Sequence, residues 1–410
     1  MTLASATWTP VASSARSQLR ARILFPRVPG SLYAPHMIRR LYIHNFRCLE
    51  NFELRLDKMP SVLLIGQNGA GKTSIGMALE VLQKIARGTN RVGDLVRPKD
   101  MTRGRAGVPV RFEIEVELNS EIYTYALALE FPAGFKELRV AEEKLEVGGK
   151  PIFARKLAQV QLTRPGRDAE AGFGIDWHLV ALPIVQHTMS TSDPIFIFRQ
   201  WLASTLILRP IPSLMRGVSE SKRPRPDPYV TNFGEWFSDL LVSAPSAYTK
   251  ISEYLKEVMQ DFHAITNSFT GSGNRSLLIQ FSNKLGNIES PFEDLSDGEK
   301  CFMIFALAIA ANDAYGPLLC FWDEPDNFLA PSEVGSSIMA LRKAFRDKGQ
   351  LIVTSHNPEA IRRFSDENTL VLFRNSHLEP TISRSVEDLR SKGDLKGDFV
   401  NALLRGDILP

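Results

Sequence analysis

The chain has 410 residues, 44% of them hydrophobic and 23% charged, with a formal net charge of +3. These proportions are ordinary for a globular protein with one large domain or two smaller ones, and no apolar run reaches the length that spans a bilayer. Cys48, Cys301 and Cys320 stand apart without any C-x-x-C pairing, which argues against structural zinc and disulfides and for a reducing, cytoplasmic setting.

Residues 1–36 are rich in Ser, Ala, Pro and Arg and show no sustained apolar periodicity. Their only charges are Arg16, Arg20, Arg22 and Arg27, so this segment carries more than the whole net charge and the body of the chain is not basic. Net charge therefore gives little support to nucleic-acid binding. An acid-poor composition also suits a transit peptide. Because the strand pattern that begins at Ile38 is complete, the expectation is instead a disordered arm, or sequence translated upstream of a start at Met37.

From Met37 the segments "IRRLYIHNF", "FELRL" and "SVLLIG" read as strands, being short and rich in β-branched and aromatic residues. "GQNGAGKT", Gly66 to Thr73, then matches G-x-x-x-x-G-K-[ST] between a strand and a helix. Glycines at these positions let backbone N–H groups close around phosphate oxygens at a helix N-terminus, where the dipole favours anions. Asn68, Gly69, Ala70, Gly71, Lys72, Thr73 and Ser74 are the candidate nucleotide-binding residues. Lys72 is expected to reach the β- and γ-phosphates, and Thr73 to hold Mg²⁺.

Residues 109–164 alternate polar and apolar between turn formers, as in "VRFEIEVEL" and "YTYALALEF", the pattern of antiparallel strands with one solvated face. A proline-rich, basic stretch at 209–229 reads as a surface loop. Residues 234–262 show helical periodicity broken near Pro245. No heptads persist long enough for an extended coiled coil.

At 295–310, "LSDGEKCFMIFALAIA" sets a polar turn before an apolar helix. Ser296 and Glu299 have capping-box spacing, yet a Ser hydroxyl, a Gly N–H and a helix N-terminus also form an anion receptor. "LLCFWDEPDNFLAP" follows, an apolar strand ending in two acids. Asp323 is placed to hold Mg²⁺, and Glu324 to take a proton from an attacking water. A third apolar strand, "QLIVTSHNPEAI", ends at His356, on the sheet edge where doubly wound folds bind ligands, so contact with the γ-phosphate is expected.

The P-loop, the "LSDGEK" turn, the "DEP" acids and "TSHNP", in this order, resemble the ATP-binding-cassette ATPases, specifically the standalone RecF/SMC/OLD-like AAA ATPases. "IRRLYIHNFRCLENFEL" is similar to that branch's first hairpin, and the likeness covers residues 38 to about 375. It implies an α/β P-loop NTPase fold: a mostly parallel sheet flanked by helices, with an antiparallel β-lobe (about 37–60 and 105–165) and an inserted helical region (about 190–290). The second half of the core would span 291–375 and a tail 376–410 would pack on it, all within one domain over 37–400.

The same likeness implies that Lys72, Glu324 and His356 are catalytic and that ATP and Mg²⁺ are the cofactors. It makes Ser296 and Gly298 the signature motif, completing the ATP site of a second copy in a homodimer. Two anion receptors and one ATP per chain are reconciled by such a twofold pair. By the same resemblance Asn45, Phe46 and Arg47 lie near the nucleotide, Arg47 touching phosphate, and Asp326 and Asn327 fall in a dimer-spanning loop. The Mg²⁺-sensing glutamine of transporter ATPases has no single counterpart; Gln159, Gln161 and Gln186 are all candidates. SMC-type coiled coils are absent, and the chain ends too soon after His356 for the nuclease domain that OLD proteins append.

ATP hydrolysis is thus expected. It would drive a DNA- or RNA-associated motor or clamp of repair or anti-phage defence type, drawing on the basic stretches Arg97–Arg111 and Arg216–Arg225. The alternative is an interaction switch for a separately encoded effector protein, without nucleic acid. A membrane-transporter subunit fits least, since the first hairpin belongs to the other branch.

Overall fold

The computed structural model describes residues 36–163, 171–187, 190, 192–220, 225–269 and 274–392. The expected N-terminal extension up to residue 35 and the last part of the C-terminal tail lie outside these residues.

A six-stranded sheet forms the centre, in the order Leu206–Leu208, Leu319–Asp323, Gln350–Thr354, Ser61–Gly66, Thr369–Phe373, Ile382–Ser385. The first five strands are parallel and the last is antiparallel. Parallel strands covered on both faces read as near-continuous apolar runs. Accordingly Ser61–Gly66, Gln350–Thr354 and Thr369–Phe373 are buried along their whole length.

Alternate side chains of this sheet feed two separate cores. Val62 and Leu64 pack with the helix Lys72–Ala86 and the β-lobe. Leu63 and Ile65 pack with the helices Asp297–Tyr315 and Pro331–Arg346. Where Lys72–Ala86 crosses the sheet, a Cβ on Gly76 would stand 2.4 Å from the Phe321 ring, so glycine permits the close approach.

The lobe is an eight-stranded antiparallel sheet in the order Phe52–Arg55, Met37–His44, Val110–Leu118, Glu121–Glu130, Arg139–Val147, Lys150–Lys156, Gln159–Leu162, Ala171–Gly174. Val110–Leu118 alternates strictly between buried and half-buried residues, one face on the core and one toward water. The sheet runs past the expected boundary near 165 to Gly174.

The region expected as a helical insertion, about 190–290, is helical only in part. It contains the helices Pro194–Ser204, Phe233–Ser243 and Ala247–Val258, the middle one ending just before Pro245. It also supplies the edge strand Leu206–Leu208 of the central sheet and an antiparallel sheet of Val218–Ser219, Phe262–Phe269, Arg275–Asn283 and Gly286–Pro291. Those strands are largely half-exposed, so no continuous apolar run marked them. Gly286–Pro291 leads through a short turn into the helix Asp297–Tyr315, which is apolar on nearly every side because it is sunk in the second core. Beyond 376 the chain adds the strand Ile382–Ser385 and the helix Val386–Ser391. Among the described residues no helix is long and apolar enough to cross a membrane.

Candidate nucleotide site

The strand Ser61–Gly66 turns into the helix Lys72–Ala86 through Gln67–Gly71. Gly71 caps the helix at φ 102°, a left-handed conformation that suits glycine, and a Cβ there would lie 2.9 Å from both Cys48 Sγ and Thr381 Oγ1. No side chain caps this helix and its first turn holds no acid. Its N–H groups therefore form an open anion receptor. The loop is braced from the far end of the chain: Thr381 Oγ1 donates to Ala70 O (2.9 Å) and Arg374 Nη1 to Gly69 O (3.3 Å).

Lys72 is 6% exposed and folds back over the loop, donating to Gly66 O at 2.9 Å. Its Nζ also lies 2.7 Å from His356 Nε2. An ammonium can only donate, so His356 accepts through Nε2 and is neutral. Burial pulls the Lys72 pKa below its ordinary value, against the opposing pull of Glu324 and Asp323. Burial, then the Lys72 charge, lowers that of His356.

Opposite stand the acids that end Leu319–Asp323. Asp323 Oδ2 accepts from Thr73 Oγ1 at 2.7 Å, and its Oδ1 accepts from Thr354 Oγ1 at 2.6 Å. Glu324 turns left-handed at φ 52°, its N–H donating to Thr354 Oγ1 at 3.0 Å. Its carboxylate accepts from Asn327 Nδ2 at 2.7 Å and lies 3.6 Å from His356 Nε2. One loop further, the buried Asp326 accepts from Ser355 Oγ at 3.0 Å, and burial pushes its pKa up to about 6.

Asn68, Gly69, Gly71, Lys72, Thr73, Ser74, Arg47 and Glu324 line one cleft of about 570 Å³, and Asp323 and His356 join it through the bonds above. Ala70 is buried beneath it. Arg47 reaches the cleft but is tied to Asp100 at 3.0 Å.

Two expected neighbours of the nucleotide are placed otherwise. Asn45 is fully buried, and its Nδ2 donates to Arg105 O and Val108 O, so it shapes the adjoining loop. Phe46 packs edge-on against Phe112 in the core. None of Gln159, Gln161 and Gln186 lines the cleft. Conversely Cys48, Met101 and Arg374 line it without having been assigned to the nucleotide, as do Lys99 and Arg103 from the basic stretch Arg97–Arg111. Arg374 follows the strand Thr369–Phe373, whose carboxyl end joins the same edge of the sheet; that topological position was the available signal.

Ser296 and Gly298 stand outside this cleft. Ser296 is exposed and forms a complete capping box: its Oγ accepts from Glu299 N, its N–H donates to Glu299 Oε2 (2.8 Å), and its hydroxyl also reaches Oε2 (2.7 Å). A Cβ on Gly298 would meet Phe328 O at 3.1 Å, so the turn abuts the loop that follows the acids.

Thr73 and Asp323 make a hard-oxygen pair of the kind magnesium takes, with phosphate and water completing its shell. The uncapped helix end and Lys72 suit a polyphosphate.

A profile of the family described as "AAA domain, putative AbiEii toxin, Type IV TA system" matches residues 61–362. A 46-residue stretch, 11% of the chain, is 46% identical to the OLD nuclease of Thermus scotoductus, and it spans 8% of that protein's length. Two SMC head structures share the fold with a TM-score of 0.52. One, bound to the C-terminal winged-helix domain of ScpA, is 15% identical, the match covering 86% of this chain and 99% of that one. The other, from Pyrococcus furiosus and carrying an extended coiled coil, is bound to the C-terminal domain of ScpA; it is 12% identical, with 88% and 99% covered.

Proposed function

The chain belongs to that AAA-domain family and is an ATPase of the SMC- and OLD-like type, and from this premise we propose that it hydrolyses ATP between two copies of itself, the pair acting as a switch in DNA repair or anti-phage defence. One observation supports the reading: Ser296 and Gly298 stand at a helix N-terminus outside the P-loop cleft, so within one chain they do not line the site that Lys72 lines. In a twofold pair, Ser296 and Gly298 of one copy would meet the γ-phosphate held by Lys72 of the other.

Lys72 and the N–H groups of residues 69–74 would hold the β- and γ-phosphates, Lys72 giving up its contact with His356. Thr73 and Asp323 would hold magnesium, which when bound neutralises charge on the phosphate oxygens. Glu324 would orient the attacking water and take its proton, while His356, released from Lys72, would face the γ-phosphate. A cytoplasmic setting suits the three buried, unpaired cysteines.

A second reading, an ATP-dependent switch for a separate effector protein, is favoured by one observation. Arginines of the basic stretch Arg97–Arg111 pair with the chain's own acids: Arg103 and Arg105 share Glu50, and Arg111 pairs with Glu113 and Glu142. DNA binding that is ATP-dependent and weakens steeply with salt would favour the first reading over this one.

The test of the shared site is light scattering with Mg²⁺-ATP. Glu324→Gln, which should bind ATP without turning it over, is expected to shift to a dimer, and adding Ser296→Arg to abolish the shift. A size unaffected by ATP, with or without Ser296→Arg, would sink the shared-site reading.

A further inference from the structure

We infer that Thr354 is a positioning residue for hydrolysis, its single hydroxyl holding both Asp323 and Glu324 in their working orientations. The inference rests on the roles proposed above for those two acids.

Thr354 ends the strand Gln350–Thr354 and is fully buried. A buried hydroxyl in such a place needs partners to offset its desolvation. It has two. The hydroxyl carries one proton, which goes to Asp323 Oδ1 at 2.6 Å, leaving a lone pair for the Glu324 N–H at 3.0 Å. Donor and acceptor roles are thereby fixed.

The two bonds act on different parts of the site. The ladder between the acid strand and Gln350–Thr354 has Asp323 opposite Thr354 as its last pair. Glu324 then leaves the strand at φ 52°, a left-handed turn that is unfavourable in a residue other than glycine. With the ladder ended, the Thr354 oxygen is what accepts the Glu324 N–H, and this holds the turn. At Asp323 the hydroxyl fixes one carboxylate oxygen and directs the other toward Thr73. Thr354 thus sets the rotation of the proposed metal-holding carboxylate and the backbone of the proposed base together.

Valine has nearly the same shape and lacks the hydroxyl, whereas serine keeps it. The experiment compares full-length wild type, Thr354→Val, Thr354→Ser and Glu324→Gln. It measures kcat and KM for ATP, the Mg²⁺ dependence of turnover, Mn²⁺ binding to the protein–ADP complex by electron paramagnetic resonance, and thermal melting. Removal of an outer partner of a metal-holding group typically costs about 10–100-fold in metal affinity or activity. Thr354→Val is expected to lose kcat and Mn²⁺ affinity on that scale, with KM for ATP little changed and Thr354→Ser restoring most of both.

Wild-type turnover and Mn²⁺ binding in Thr354→Val would overturn the inference. So would a Thr354→Ser as defective as the valine variant, which would assign the effect to the lost methyl. Should Thr354→Val fail to fold, Thr354→Ala replaces it in the same comparison. Glu324→Gln separates the two levels. Undiminished turnover in that variant breaks the proposed role of Glu324 itself, whereas a dead Glu324→Gln beside a wild-type Thr354→Val breaks only the assignment of Thr354.

Discussion

Two helix N-termini in this chain face the same physical demand and meet it in opposite ways. Lys72–Ala86 begins at a glycine with no side-chain cap and no acid in its first turn. Asp297–Tyr315 begins at Ser296 with a full capping box and two acids in its first turn. Every helix leaves its first N–H groups without intrahelical partners. The first end keeps them open under a lysine, whereas at the second Ser296 Oγ accepts the Glu299 N–H and the Glu299 carboxylate folds back onto Ser296. The difference teaches that a helix N-terminus stays an open anion receptor only where its own sequence leaves it uncapped. What separates the two ends is whether the chain's own carboxylate already occupies the place.

In the signature turn it does, since Glu299 Oε2 holds both the N–H and the hydroxyl of Ser296. A partner's phosphate would therefore have to displace Glu299, whereas at the P-loop it would displace only the contact between Lys72 and a neutral His356.

The largest break in this comparison should come from Lys72→Ala. It removes the cation from the open end and is expected to lower ATP turnover by at least about 100-fold, since charge stabilisation at the phosphates is the main catalytic contribution in this chemistry. A steady-state phosphate-release assay reads it, and turnover near wild type would show that the cleft is not the working site.

A smaller effect is expected at the loop joining the two ends, where Asn327 bonds Glu324 and Phe328 abuts Gly298. Burial raises the Asp326 pKa to about 6. The folded state then binds a proton more tightly than the unfolded chain does, so this group costs stability as pH rises between about 4 and 6, and the cost is complete above that. Asp326→Asn, which can still accept from Ser355, should stabilise the protein at pH 8 by on the order of 2 kcal/mol and have little effect at pH 4. Melting temperatures at the two pH values check this, and an equal shift at both would contradict it.

The smallest expected change sharpens the comparison directly. Glu299→Ala frees the Ser296 hydroxyl at the expense of half the capping box, lowering stability by about 1 kcal/mol. In the Glu324→Gln background it should also reduce the ATP concentration at which dimers form, because the competing carboxylate is gone. A higher ATP requirement would instead make Glu299 part of the phosphate receptor.

Much of the site was legible because it is written in contiguous residues: the P-loop, the paired acids and His356 are each a strand end with its following turn. Three of the central strands, Ser61–Gly66, Leu319–Asp323 and Gln350–Thr354, were equally plain, since burial on both faces leaves a nearly unbroken apolar run. The strands at 262–291 were not, because half-exposed strands on a small sheet lack that run. Asn45 was misplaced because a motif fixes a residue's position in the chain and not the direction of its side chain. Arg374, Thr381 and Thr354 went unassigned for a related reason. Their partners, Gly69, Ala70 and Asp323, are distant in sequence, and only the sheet order brings them together.

That sheet order also governs how the protein can be made. The strand Ser61–Gly66 pairs on both sides with strands that lie roughly 290–306 residues later, Gln350–Thr354 and Thr369–Phe373. At ribosomal rates of about 5–20 residues per second, "SVLLIG" waits on the order of tens of seconds for either neighbour. The lobe strands can pair as they emerge, being mostly hairpins. The nucleotide cleft assembles last, once the residues that brace its loop have left the ribosome. A nascent chain would therefore carry an unpaired apolar strand until residues 350–373 have emerged, and the cleft cannot close before then.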